Sequence, residues 1–335
     1  MTRSSPVDTK LLLCVWHRFT LWRAPASLAD QIRRRWAEMN VVHLPTYDHM
    51  NDELPGTDIF VGFHLRPEQF ALAHKLKWIH ATAAGVGHLM FPALRNSGVI
   101  LTNARGIHTI PMAEHTLGML IALARHFPAA LRYQLQRHWA QQEIWDFPLR
   151  PRELHGQVLL LVGFGAVGRE LARRVRPLGI KIWTVTRSGH AEPALADRAL
   201  PASRLDEVLP QADFVVLAAP ETPETHHLFD ARRLALLKPT AFLINVARGT
   251  LVDETAFVAA LRRHSFAGAA LDVTEREPLP PDSPLWSLDN VFITPHISAV
   301  SEHLWDRQTD LLLDNLDRWF SGRELVNQVD LARGY

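Results

Sequence analysis

The segment Val158 to Ala172, VLLLVGFGAVGRELA, limits the possible folds more than any other stretch. A short apolar run fit for a buried strand leads into a G-x-G-x-x-G turn, and an amphipathic helix follows. Gly163 permits the tight turn. Gly165 omits the side chain that would block a phosphate, and Gly168 lets the helix pack on the strand. Phe164, Ala166 and Val167 complete the turn, where the positive end of the helix faces an anion. Such a glycine pattern alone often serves packing. With a strand before it and a helix after it, the pattern predicts a dinucleotide site.

The rest of the chain supplies a matching framework. Short apolar runs at Leu11–Trp16, Asn40–Leu44, Asp58–Phe63 and Trp78–Ala81 read as strands. Helices are expected over Ser27–Met39, with Ser27 as a candidate N-cap, and over Pro67–Lys75. A long helix is expected from Pro111 to Tyr133, and another from Glu302 to Phe320. After the glycine turn come strands at Lys181–Val185, Phe214–Ala218, Ala241–Asn245, Gly268–Asp272 and Val291–Thr294. This alternation predicts parallel sheets with helices on both faces. Pro278, Pro280, Pro281 and Pro284 mark a rigid loop.

At 335 residues there is room for two cores. A formal charge of +1 gives no electrostatic case for nucleic acid or a membrane surface as partner. The apolar run after the polar N-terminus is too short for a signal peptide or a membrane span, so the cytoplasm is the expected compartment. The single cysteine, Cys14, reads as a small buried hydrophobe. Eighteen histidines invite a metal reading, but no H-E-x-x-H and no Cys/His quartet occurs, and no metal is expected. The pair His226-His227 reads as a loop feature.

Three segments place polar residues just past strand ends, the edge where open α/β sheets bind ligands. They are Asn245–Gly249, Leu271–Pro278 and Thr294–Ser298. An arginine, a carboxylate and a histidine there form a coherent set. Reduction of a 2-oxo acid needs a cation for the carboxylate, an acid for the carbonyl oxygen and a carboxylate to hold that acid. Singly, Arg248 could cap a helix, Glu277 could be a solvated charge and His296 could be structural. Together, behind a nucleotide turn, they point to catalysis.

These segments, with Leu76–Ile79, Ala84-Gly85-Val86, Ala113-Glu114-His115 and Pro284-Leu285-Trp286, resemble the D-isomer-specific 2-hydroxyacid dehydrogenases over most of the chain. The resemblance implies that Arg248 binds the substrate carboxylate and carbonyl. It implies that His296 is the proton donor and acceptor, that Glu277 hydrogen-bonds it, and that Asp272 contacts the nicotinamide end of the cofactor. Backbone N–H groups around Ala84 and Gly85 would hold the substrate carboxylate, and Pro220 and Thr225 are counted with the cofactor contacts. A carboxylate beside imidazole should raise the pKa of His296.

Two departures matter. NAD-using members usually end the strand after the glycine-turn helix with an aspartate for the ribose hydroxyl. Here that end reads Thr186-Arg187-Ser188. Two hydroxyls and a guanidinium suit a 2′-phosphate, so NADP(H) is expected over NAD(H). In the substrate loop Gly87 stands where an aspartate is common, which alters the local loop shape. Trp139 and Trp145 fall in a region that forms an arm at a two-fold dimer interface in the family, so a homodimer is expected.

The expected fold class is α/β, with two doubly wound parallel-sheet domains. One is a Rossmann-type nucleotide domain over 105–298. The other is a smaller, discontinuous, flavodoxin-like substrate domain from 1–104 and a C-terminal segment over 299–335. The active site is expected in the cleft between them. The expected activity is hydride transfer between NAD(P)H and a small 2-oxo acid to give a D-2-hydroxy acid, with glyoxylate or hydroxypyruvate first by analogy. The alternative is a non-catalytic, dinucleotide-sensing corepressor-like protein of the same fold. A formate dehydrogenase is disfavoured, because that branch typically has glutamine at position 277.

Overall fold

The computed structural model describes residues 5–332. The chain divides into two compact units, one of residues up to Ile107 with Ser301 onward, the other His108–Val300.

The smaller unit holds a five-stranded sheet: β1 (Lys10–Cys14), β2 (Asn40–Leu44), β3 (Ile59–Gly62), β4 (Trp78–Ala81) and β5 (Ile100–Asn103). Its order is β2-β1-β3-β4-β5, with every pairing parallel. Alternate residues of β1 explain why Leu11–Cys14 are all apolar. Leu12 and Cys14 enter one core with Phe60, Ile79 and Leu101. Leu11 and Leu13 enter the other with Ile59, Trp78 and Leu312, Leu316 and Trp319 of the helix Leu304–Phe320. Trp319 stacks on Trp78 at 5.5 Å between ring centroids. Burial pushes the Cys14 thiol up to about 12.

The larger unit holds seven strands: β6 (Val158–Val162), β7 (Lys181–Thr186), β8 (Arg198–Pro201), β9 (Phe214–Leu217), β10 (Phe242–Asn245), β11 (Gly268–Leu271) and β12 (Val291–Ile293). The order β12-β11-β10-β9-β6-β7-β8 is wholly parallel. The strand sequence reverses direction between β6 and β9, the switch point where doubly wound sheets open a crevice for ligands. One face packs Val162, Val215 and Leu243 over Phe257 and Leu261. The other packs Leu161, Val216 and Ile244 with Leu120 and Leu171.

Several boundaries differ from expectation. The expected long helix is two helices, Thr109–Ala124 and Phe127–Leu135. His126 between them is left-handed (φ 55°), and Pro128 lies in the first turn of the second helix, where its missing N–H is harmless. The first helix runs Ala26–Arg35, and Pro25, not Ser27, holds the N-cap position. The helix after β3 ends at Leu72. β5 and β8 lie outside the expected strands. Thr102 and Asn103 are buried polar residues that interrupt the apolar pattern of β5, and β8 is an edge strand that ends on a proline. Among the described residues, no helix is long and apolar enough to cross a membrane.

Candidate active site

The glycine turn leaves the C-terminal end of β6. Gly163 has φ 97°, and a Cβ there would lie 2.7 Å from the backbone of Ala218 and Ala219. Only glycine fits on both counts. A Cβ on Gly168 would lie 2.7 Å from the Gly163 carbonyl oxygen, so that glycine sets helix against turn. A Cβ on Gly165 would meet nothing within 4 Å. No side chain caps the helix Ala166–Val175 that starts there. The open space over uncapped N–H groups fits a pyrophosphate. Phe164, Ala166 and Val167 complete the turn, and the Phe164 carbonyl accepts a bond from Arg169 (3.0 Å).

At the end of β7, the Thr186 hydroxyl donates to the His190 carbonyl (3.3 Å), and the His190 N–H donates to the Ser188 hydroxyl (3.4 Å). Arg187 and Ser188 are exposed, and no carboxylate occurs from Thr186 to His190. Past β9, the Thr225 hydroxyl donates to the Pro220 carbonyl (2.7 Å), which closes that loop on itself.

Three further loops follow β10, β11 and β12. Past β10, the Asn245 side chain accepts from Ala247 N (3.0 Å) and donates to the Arg248 carbonyl (2.8 Å), and the exposed Arg248 donates from its guanidinium to the Ala247 carbonyl (2.7 Å). Past β11, Glu277 Oε1 accepts from Thr274 N (3.1 Å). Its Oε2 lies 2.6 Å from His296 Nδ1 in the loop past β12. The hydrogen bond to Glu277 raises the His296 pKa; partial burial and the Arg248 charge work against it, while the charges of Glu277 and Asp272 add to it. With Nδ1–H given to Glu277, Nε2 is the nitrogen left to exchange a proton.

His296 has φ 52°, an unusual backbone for a residue other than glycine. Such a conformation costs about 1–3 kcal/mol and persists where its surroundings over-determine it. Asp272 supplies that support. Its Oδ1 accepts from the Thr294 hydroxyl (2.6 Å) and Ile297 N (2.9 Å), its Oδ2 accepts from Ser298 N (2.9 Å), and its backbone carbonyl accepts from His296 N (2.9 Å). Burial alone would raise the Asp272 pKa, but hydrogen bonds from Ser298, Thr294 and Ile297 outweigh it and hold the carboxylate below its usual range. The resemblance implies a nicotinamide contact for Asp272. In the structure its side chain is 0% exposed, and its bonds serve the loop.

In the smaller unit, the loop past β4 carries Ala84 and Gly85. The Ala83 carbonyl accepts from Ala104 N (3.0 Å), and the Ala84 carbonyl accepts from the Asn103 side chain (2.8 Å). With these carbonyls tied back, the exposed Ala84 and Gly85 offer their N–H groups, which have no bonded acceptor among the described residues.

Thr274, Thr294, His115 and Asn103 also bond within these loops, and none of them is among the expected site residues. The first three lie within the motifs quoted above, so their presence was visible and their bonding was not. Asn103 gives no signal in the sequence, because the strand it ends is not among those expected. His226 and His227 stack at 4.1 Å between centroids, and among the described residues no three His, Cys, Asp or Glu side chains gather as a metal site.

The NAD binding domain of the D-isomer specific 2-hydroxyacid dehydrogenases matches residues 117–298. A glyoxylate reductase of Pyrococcus furiosus is 36% identical over 253 residues, which cover 74% of each chain. Among solved structures, a D-isomer specific 2-hydroxyacid dehydrogenase family protein from Aeromonas salmonicida matches with a TM-score of 0.82 at 31% identity, covering 97% of this chain and 99% of that one. A D-isomer specific 2-hydroxyacid dehydrogenase from Xanthobacter autotrophicus Py2, solved with NADPH and MES, gives a TM-score of 0.81 at 27% identity and covers 98% of this chain and all of that one (100%). The chain therefore belongs to the D-isomer specific 2-hydroxyacid dehydrogenases and is an NAD(P)-dependent oxidoreductase.

Proposed function

We propose that this chain reduces small 2-oxo acids to D-2-hydroxy acids, with glyoxylate and hydroxypyruvate as the first substrates to consider. The observation that carries the reading is the 2.6 Å contact between His296 and Glu277 at the strand ends of a unit that also holds a glycine cradle. A bound nicotinamide supplies a hydride to the carbonyl carbon. His296 gives its Nε2 proton to the carbonyl oxygen, and Glu277 stabilises the imidazolium that makes this possible. Arg248 takes the substrate carboxylate and fixes which carbonyl face is presented. The N–H groups of Ala84 and Gly85 take the carboxylate as well. In this reading residues 105–298 bind the dinucleotide, and residues 1–104 with 299–335 carry the substrate loop. The cytoplasm, where reduced nicotinamide is supplied, is the compartment that suits it.

NADP(H) is the favoured cofactor. A carboxylate at the end of β7 would repel a 2′-phosphate, and Thr186, Arg187 and Ser188 offer hydroxyls and a cation in its place. The nearest acidic residue downstream, Glu192, lies 3.8 Å from Arg169. The relative from Xanthobacter autotrophicus was itself solved with NADPH. Initial rates with glyoxylate, hydroxypyruvate and pyruvate, each with NADPH and NADH, test both points. The expected kcat/KM favours NADPH by about tenfold, the ratio that about 1.4 kcal/mol gives, and Arg187→Asp reverses it. No turnover of any acid despite dinucleotide binding would overturn the reductase reading and favour the sensor.

A homodimer is also proposed. The helix Phe127–Leu135 exposes Phe127, Leu131 and Leu135 at a spacing of four residues, an apolar stripe, and Trp139 and Trp145 are exposed beyond it. A second copy presenting the same stripe would cover it by two-fold symmetry. Sedimentation should give twice the 37.9 kDa chain mass, and Leu131→Glu with Leu135→Glu should yield the monomer. A wild-type monomer at micromolar concentration would rule the dimer out.

A further inference from the structure

We propose that His115, on the helix Thr109–Ala124, is a positioning residue for His296 and acts through Thr294 and Asp272. The proposal rests on the reading of His296 as the proton donor. His115 Nε2 lies 3.0 Å from the Thr294 hydroxyl and 3.7 Å from Asp272 Oδ1.

The single hydroxyl hydrogen of Thr294 fixes the direction of these hydrogen bonds. Asp272 is ionised and can only accept, so the Thr294 hydroxyl gives its one hydrogen to Oδ1, 2.6 Å away. The Thr294 oxygen is left to accept, and the atom facing it is His115 Nε2. That nitrogen must therefore carry a proton. Burial pushes the His115 pKa down and the charge of Asp272 pulls it up, with a net lowering, so the ring is neutral with its proton on Nε2. Glu114, the adjacent acid on the same helix, is engaged elsewhere, 3.2 Å from Arg174.

This series of hydrogen bonds ends on the strained part of the catalytic loop, at His296. Asp272 holds Thr294 on one side of His296 and Ile297 and Ser298 on the other. His296, with its left-handed backbone, is thereby carried on one carboxylate, and His115 locks the hydroxyl that orients that carboxylate. The charged groups that face His296 are Glu277, Asp272 and Arg248, and the one that faces His115 is Asp272. Loss of the lock should loosen the loop, lengthen the 2.6 Å contact with Glu277 and lower the pKa of His296.

The test titrates His296 by NMR in labelled protein and records the pH profile of kcat for wild type, His115→Phe, His115→Gln and Thr294→Val. Phenylalanine fills the space without a donor, glutamine restores an N–H, and valine removes the hydroxyl at constant shape. His115→Phe and Thr294→Val should each lower the His296 pKa and reduce kcat by about tenfold, with the double variant no worse than either, as for members of one network. His115→Gln should remain within about threefold of wild type, because it can donate as Nε2–H does. A folded His115→Phe with wild-type pKa and kcat overturns the proposal. So does a His115→Gln as impaired as His115→Phe. If His115→Phe does not fold, Thr294→Val carries the same expectation, and a wild-type result there overturns it equally. A wild type that reduces no acid would sink the reductase reading alone, because the NMR titration still decides whether His115 acts on His296.

Discussion

His296→Asn lowers kcat for 2-oxo acid reduction by about a hundredfold to ten-thousandfold, the range general acid–base groups contribute, and leaves dinucleotide affinity nearly unchanged. Asparagine is the informative replacement because it tolerates the left-handed backbone that His296 adopts (φ 52°). It also keeps an N–H near Glu277, so the loop survives while the titrating group is lost. The companion variant is Glu277→Gln, which can still accept from Nδ1 but carries no charge. In the wild type, Glu277 raises the His296 pKa. Reduction needs the imidazolium, so its rate is full below that raised pKa and falls as pH rises through it. Oxidation of the hydroxy acid needs the neutral ring and follows the opposite course. Glu277→Gln therefore moves the upper limb of reductive kcat/KM to lower pH, with a smaller loss of rate than His296→Asn. An upper limb that stays in place in Glu277→Gln would mean that another group delivers the proton. The same linkage acts on folding: the pair stabilises the native state below the ordinary histidine pKa, and that contribution is lost as pH rises through the raised value.

What could be read from the sequence and what could not differ in range along the chain. The apolar runs and the glycine turn are local, and they predict two parallel sheets because strand, turn and helix must alternate to bury such runs. The positions of β5 and β8 depend instead on neighbours. β5 ends in Thr102 and Asn103, polar residues buried because Thr102 bonds Trp78 and His80 and Asn103 holds Ala84. The helix break at His126 depended on a proline in the following turn that periodicity alone does not weigh. In the larger unit, the residue types at the strand ends were legible, since arginine, glutamate and histidine stand out where ligands bind. Their support was not. Asp272 reaches Thr294, Ile297 and Ser298 across 22 to 26 positions, and His115 reaches Thr294 across 179. Only the folded sheet, which sets the ends of β11 and β12 side by side, defines those contacts.

Gly249→Ala is expected to damage both stability and catalysis, although Gly249 forms no part of the proposed chemistry. A Cβ at this position would lie 1.9 Å from the Thr274 carbonyl carbon and 2.3 Å from Glu275 N. Both are backbone atoms, so no side-chain rotation relieves the overlap, and the loop past β11 must move. That loop carries Thr274 N, which holds Glu277 Oε1 at 3.1 Å. Displacing it pulls Glu277 away from His296 and frees the His296 pKa to fall. Overpacking of this kind costs about 1–3 kcal/mol, and a loop that shifts to relieve it converts part of that cost into lost geometry. Gly165→Ala separates the two consequences of adding a methyl group. A Cβ there meets nothing within 4 Å, so stability changes little and the methyl enters the space over the helix N-terminus. Thermal melts, dinucleotide titrations and pH–rate profiles on both variants distinguish the cases. Gly249→Ala should melt lower, keep its dinucleotide affinity and lose reductive rate first at high pH. Gly165→Ala should melt near wild type and bind dinucleotide more weakly. If Gly249→Ala keeps the wild-type pH profile, Glu277 is held in place by something other than the close approach of these two loops.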